Sequence, residues 1–224
     1  VERATWEAAL LRDESLRGDP ARRRAQGVVH TPPELARGVV RVLDALLQER
    51  FGLHQGVCDE RVHVVDPACG PGAFLAAVLA HAERRGISPA GRMTGYDLDA
   101  AALDRARPLA RHPAGAALAF EQADMLEGGS LLSLAAQTDR VLAIVGNPPW
   151  SSARARSGEA AQRLLEDFRR DGAGTRLEER KLGVLSDAYV RFFRVCAEAA
   201  RNARAGALIG LVSNASFLDG PVHR

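Results

Sequence analysis

The stretch Val62-His63-Val64-Val65-Asp66-Pro67-Ala68-Cys69-Gly70-Pro71-Gly72-Ala73-Phe74 decides how this chain folds. Val62–Val65 is a short apolar run rich in β-branched residues and reads as a buried strand. Asp66 to Gly72 forms a tight glycine-rich turn, and the apolar run from Ala73 to about Arg85 predicts a helix. Gly70 and Gly72 let backbone come close to a ligand, and the helix start behind them offers unpaired N–H groups. No Gly-Lys-Ser/Thr closes the turn, so it is not a phosphate-binding P-loop, and it is not a strict G-x-G-x-x-G either. By itself such a turn serves either ligand binding or helix packing.

The same strand, turn, helix pattern repeats downstream. Arg92–Tyr96 predicts a second strand with a helix near Ala100–Arg107, and Ala117–Glu121 and Val141–Val145 are further strands. A long helix over Asp187–Ala203 leads into a strand at Ala207–Val212. Short apolar strands alternating with helices predict an α/β fold: a mostly parallel sheet with helices on both faces. Ligands in such open sheets bind beyond the carboxyl ends of the strands. Upstream, Thr31-Pro32-Pro33-Glu34 predicts a helix start, with Thr31 as N-cap, Pro32 at the first position and Glu34 completing a capping box. That helix should run to about Arg50 with Leu35, Val39, Val42, Leu43, Leu46 and Leu47 on one face. Residues 1–27 read as a marginal helix and solvated connector ahead of a domain over 28–224.

Chemistry-bearing residues recur at the strand ends. Asp97 sits at the tip of the second strand, where a carboxylate can accept two ribose hydroxyls; capping the next helix is its other possible role, which we assign to Asp99. After the third strand, Asp124 is either a loop residue or an acceptor for an adenine amino group, with Met125 covering the ring. The fourth strand ends in Gly146-Asn147-Pro148-Pro149-Trp150. The two prolines fix φ and restrict the residue before them, so Asn147 is held extended with its amide pointing out of the strand end. An amide oxygen and a rigid backbone carbonyl can together accept both hydrogens of a planar amine, draw its nitrogen towards sp³ character and free a lone pair. Trp150 offers a flat face on which the ring carrying that amine can stack.

Taken together these residues resemble the adenine-specific, amino-methylating DNA methyltransferases that depend on S-adenosylmethionine. The resemblance runs over roughly residues 27–218. It implies a Rossmann-like methyltransferase fold. Thr31-Pro32 resembles the motif that contacts the methionine part of the cofactor. Asp66, Ala68, Cys69, Gly70 and Gly72 resemble its glycine-rich turn, with Pro71 where a small residue is more usual. Asp97 resembles the ribose-binding acid, with Leu98 beside it, and Asp124 with Met125 the adenine-binding pair. Asn147-Pro148-Pro149-Trp150 resembles the catalytic tetrad, whose last position is more often Tyr or Phe. Ser186–Phe193 and Leu211–Leu218 resemble the target-pocket helix and the strand and loop after it. The resemblance further implies double-stranded DNA as substrate, with the target adenine leaving the stack to reach the pocket.

The composition is neutral on function. The chain has 224 residues, 30 Lys+Arg against 28 Asp+Glu, and 46% apolar residues, which fits one soluble domain. Cys58, Cys69 and Cys196 form no C-x-x-C pair, so neither a zinc site nor a disulfide framework is expected, and a reducing cytoplasm fits. The longest apolar stretch, Ala73–Ala80, is too short for a membrane span. Between Trp150 and Lys181 eight bases face six acids, read equally as a solvated helix or as phosphate-holding surface. The family pattern would continue past the last residue with an antiparallel strand pair and a target-recognition domain. We therefore expect a fragment or one half of a split enzyme, completed by a second subunit or by that missing domain. The rival readings are a methyltransferase acting on release-factor glutamine or ribosomal RNA guanine amines, and a truncated non-catalytic subunit that binds cofactor. A nicotinamide dehydrogenase fits poorly, because Asn-Pro-Pro-Trp has no hydride-transfer role.

Overall fold

The computed structural model describes residues 31–113, 117–127, 129–149 and 188–213, with positions 163, 165, 166, 169, 174 and 175. The expectations for residues 1–27, for Trp150, for the arginine-rich segment as a whole, for Ser186 and Asp187, and for residues 214–218 lie outside them. In chain order the main elements are α1 (Pro33–Phe51), β1 (Val62–Asp66), α2 (Ala73–Arg85), β2 (Arg92–Asp97), α3 (Ala100–Ala106), β3 (Leu118–Gln122), α4 (Gly129–Gln137), β4 (Val141–Gly146), α5 (Ala188–Asn202) and β5 (Ala207–Leu211). The five strands form one sheet in the order β3-β2-β1-β4-β5, and every neighbouring pair is parallel. This is the Rossmann-like α/β architecture expected from the strand–helix alternation.

The alternation within each strand divides the core in two. Val62 and Val64 of β1 and Ala143 and Val145 of β4 face α1 and α2, where they pack with Val40, Leu43, Leu47, Leu75 and Leu79. Val65, Leu142 and Ile144 point to the opposite face and pack with Leu131 of α4 and with Phe192, Val195 and Cys196 of α5. Side chains two apart share a sheet face, and helices on both faces are what parallel strands require. Truncating a fully buried member of this core, such as Leu47, Leu79 or Ile144, costs about 2–5 kcal/mol.

The start of α1 differs from the expectation. Thr31 does not cap the helix: Pro33 is its first residue, Pro32 takes the cap position with φ −58° and ψ 137°, and no side chain caps it. The N–H groups of Leu35 and Ala36 instead converge on the Pro32 carbonyl at 3.0 and 3.2 Å. The buried face is also rotated. Ala36, Val40, Leu43 and Leu47 are buried, whereas Leu35 and Val42 are 42% and 60% exposed. Small Ala36 and polar Asp44 belong to the inner face, and neither announces itself by hydropathy. Helix α4, which the sequence analysis did not identify, covers the second sheet face with Leu131 and Ala135. The apolar Leu131-Leu132-Ser133-Leu134-Ala135 run is the signal that could have found it. Among the described residues no helix is long and apolar enough to cross a membrane.

Asp44 ties the amino end of the sheet together. Its carboxylate accepts from the Val57 N–H at 3.0 Å, from Gln48 Nε2 at 2.7 Å and from Arg85 Nη1 at 3.2 Å, and His81 Nε2 lies 3.2 Å away. Burial pushes this carboxyl's pKa up, but the His81 contact, the Val57 N–H and the nearby Arg85 charge outweigh it and hold it below the ordinary range.

Candidate active site

The carboxyl ends of β1, β2 and β4 meet at one place. The sheet order reverses on either side of β1, so the gap between β1 and β4 is a topological switch point, where open α/β sheets hold ligands. Asp66 ends β1 and Gly146 ends β4. They are in close approach: a Cβ on Gly146 would lie 3.1 Å from Asp66 Oδ1 and 3.6 Å from Pro67 Cδ. Asn147, the next residue, therefore leaves the sheet beside the glycine-rich turn.

That turn is shaped by its glycines. Gly70 has φ +52°, and Gly72, with φ +92°, stands at the N-cap of α2. L-residues rarely adopt either conformation. At Gly72 a Cβ would also meet Leu109 Cδ1 at 2.5 Å, so the helix start is pressed against the 3₁₀ turn Arg107–Arg111; at Gly70 the space beyond the backbone is open. The turn is fastened to β2 by two contacts. The Cys69 N–H donates to the Tyr96 carbonyl at 2.8 Å, and the Gly70 N–H donates to Asp97 Oδ2 at 2.7 Å. Asp97 Oδ1 accepts from the Asp99 N–H at 2.9 Å, so one carboxylate holds the loops after β1 and β2. Asp99 does cap α3, accepting from the Ala101 N–H at 3.0 Å, as expected. A carboxylate has about four acceptor positions, so two backbone bonds leave Asp97 room for hydroxyl donors.

Two acids here are held away from ordinary behaviour. Asp66 is fully buried; Oδ1 accepts from the Ala68 N–H at 3.1 Å, while buried Oδ2 has no hydrogen-bond partner among the described residues. Burial, with the Asp97 charge adding to it, pushes its pKa up to about 8. Burial also raises Asp97, against the backbone N–H groups that favour its charged form. Cys69 is buried, and burial beside these acids raises its thiol, so it packs as an apolar residue and is no nucleophile.

The remaining positions are distributed as follows. Ala68 packs against the second core cluster, and Leu98 is 64% exposed at the β2 tip. Asp124 Oδ1 accepts from the Leu126 N–H at 2.9 Å, an Asx turn. Met125 is buried in the core with Val65 and Tyr96. On the other side of the switch point, Asn147 Nδ2 donates to Thr31 Oγ1 at 3.2 Å. This contact, which the sequence did not reveal, joins residues 116 positions apart. Thr31 is buried, Pro148 is buried, and Asn147 and Pro149 are half-buried. Along α5, Tyr189 and Phe192 are buried and Phe193 packs against the small cluster of Leu165, Tyr189 and Val190.

No protein-family model and no curated protein matches the sequence. Solved structures do match the fold. The ATP-dependent Type ISP restriction-modification enzyme LlaBIII bound to DNA aligns with a TM-score of 0.67 at 17% identity, over 88% of this chain and 16% of that one. The DrdV–DNA complex aligns with a TM-score of 0.66 at 22% identity, over 96% of this chain and 23% of that one. A protein assigned as a class I S-adenosylmethionine-dependent methyltransferase from Listeria monocytogenes aligns with a TM-score of 0.56 at 15% identity, over 96% of this chain and 54% of that one. The fold is therefore that of S-adenosylmethionine-dependent methyltransferases, and the chain spans under a quarter of the length of the two DNA-bound enzymes.

Proposed function

We propose that this chain is the catalytic part of a DNA methyltransferase of the restriction–modification kind, which methylates the exocyclic amine of an adenine flipped out of double-stranded DNA. The observation that carries this reading is the position of Asn147-Pro148-Pro149: it follows Gly146, which ends β4 at the switch point in close approach to Asp66 and Pro67 of the glycine-rich turn. The fold shared with two DNA-bound enzymes supports DNA as the substrate.

The residues on the β1 and β2 side fit S-adenosylmethionine. Open space at Gly70, the first turn of α2 and the remaining acceptor positions of Asp97 suit a ligand with a ribose and an amino acid moiety. When bound, this cofactor supplies an electrophilic methyl on a sulfonium. Asp97 would take the ribose hydroxyls, the loop at Asp124 the adenine, and the turn at Ala68 and Gly70 the methionine portion. On the β4 side, Asn147 Oδ1 and the Pro148 carbonyl accept the two hydrogens of the target amine, which frees its lone pair. Trp150 stacks the base. The rate gain comes from orientation and from stabilising charge on the amine.

The test is transfer of labelled methyl from S-adenosylmethionine to unmethylated genomic DNA, with release factor and ribosomal RNA as rival substrates and Asn147→Ala as control. Label on DNA that disappears in the variant supports the reading. Label on release factor or ribosomal RNA instead, or undiminished transfer by Asn147→Ala, rejects it.

A further inference from the structure

Two Xaa-Pro-Pro corners face each other across the candidate site: Thr31-Pro32-Pro33 at the start of α1 and Asn147-Pro148-Pro149 at the end of β4. A residue before proline is confined to extended backbone, and proline fixes its own φ, so each corner presents its first side chain from a backbone with little freedom. The hydroxyl and the amide meet at 3.2 Å, with Asn147 Nδ2 donating to Thr31 Oγ1. The Thr31 side chain is buried, its residue being 7% exposed, and it does not cap α1.

This arrangement matters because an asparagine amide has two ends of almost equal size and opposite hydrogen-bonding sense. With Nδ2 towards the amine a donor would face a donor; only Oδ1 can accept. From this we infer that Thr31 is a positioning residue: its hydroxyl, accepting from Asn147 Nδ2, holds the amide in the orientation that leaves Oδ1 as the end offered to the target amine. The inference rests on the amine-methylating reading above, and it gives Thr31 a role through Asn147 rather than through the cofactor. Bringing together two side chains on preset backbones costs little conformational entropy, so one hydrogen bond can hold the amide in the observed orientation.

Thr31→Val replaces the hydroxyl by a methyl of similar size, and Thr31→Ser restores the hydroxyl. In Thr31→Val the single-turnover rate of methyl transfer to DNA should fall about 10-fold or more, the scale set by misaligning a reacting group. The dissociation constant for S-adenosylmethionine should stay within about 2-fold, and Thr31→Ser should recover most of the rate. In an Asn147→Ala background Thr31→Val should add nothing, since the group it orients is gone. A readout independent of turnover is the side-chain NH₂ pair of Asn147 by ¹⁵N NMR, identified by its loss in Asn147→Ala. Its exchange with solvent should quicken severalfold in Thr31→Val and not in Thr31→Ser. The inference is overturned if Thr31→Val weakens cofactor binding while leaving the rate at saturating cofactor unchanged. An unaltered Asn147 NH₂ pair in a folded Thr31→Val protein overturns it as well, with or without turnover. If Asn147→Ala itself keeps full activity, the amine-methylating reading fails instead, and the NMR comparison still reports on the Thr31 contact.

Discussion

Asp44 and Asp66 are both buried carboxylates, at opposite ends of the same sheet, and their surroundings treat them in opposite ways. Asp44, beside the turn that leads into β1, is surrounded by Val57, Gln48, His81 and Arg85, and its pKa is lowered. Asp66, the last residue of β1, has one backbone donor and an oxygen with no partner among the described residues, and its pKa is pushed up to about 8. One end of the sheet satisfies its charges internally and is built for stability. The other favours the protonated form of a buried carboxyl where β1, β2 and β4 converge, and an acid so displaced from its ordinary range at a switch point marks a candidate functional site.

The sharpest way to break this contrast is to remove each acid in turn. Asp44→Ala removes the acceptor of the Val57 N–H and the carboxylate beside His81 and Arg85. It should destabilise the protein by about 3–5 kcal/mol, as breaking a buried charge network does. Urea unfolding at pH 7 checks this, and an effect below about 1 kcal/mol would remove the contrast. Because the folded pKa of Asp44 is depressed, its stabilisation is present above the unfolded value and is lost as the pH falls through the folded one.

Asp97→Ala should act at the other end of the sheet, on ligand binding, while also releasing the Gly70 and Asp99 N–H groups that the carboxylate holds. Loss of a charged acceptor for hydroxyl groups should weaken S-adenosylmethionine binding about 10–100-fold by calorimetry. Asp44→Ala, under conditions where it remains folded, should leave that affinity nearly unchanged.

Asp66→Asn keeps an oxygen for the Ala68 N–H and removes the ionisable group. With a folded pKa near 8 against an unfolded value near 4, the native state retains a proton that the unfolded chain has released. The wild type therefore loses stability as the pH rises between about 4 and 8 and levels off above that. The variant should match it near pH 4 and exceed it above pH 8, by roughly 1 kcal/mol or more. Parallel stability curves across that range would show that Asp66 is not held protonated. Leu98→Ala is the smallest expected effect: an exposed side chain at the β2 tip should change stability by less than about 0.5 kcal/mol.

The fold was legible because β1, β4 and β5 are short apolar runs and strands alternate with helices, a pattern that points to a parallel sheet. What the sequence could not show lay mostly in contacts between distant residues. Thr31 reads as an N-cap because it precedes prolines and an acid, yet the second proline shifts the helix start and frees the hydroxyl for Asn147. Asp44 is not among the apolar positions that announce the inner face of α1, and its burial rests on partners on α2 and near Val57. Met125 reads as a ring cover and is packed in the core, because the 3₁₀ turn Met125–Glu127 directs it towards Val65 and Tyr96. The places of Asn147 and Asp97 at the strand ends, by contrast, were legible from the apolar runs and prolines beside them.

The measurement that bears most directly on the central claim is the identity of the modified atom. Unmethylated DNA is incubated with the protein and S-adenosylmethionine carrying a trideuterated methyl, digested to nucleosides and analysed by mass spectrometry. The account predicts the label on the exocyclic nitrogen of adenine, in an amount abolished by Asn147→Ala. Label on cytosine, or on protein or RNA in place of DNA, would contradict it.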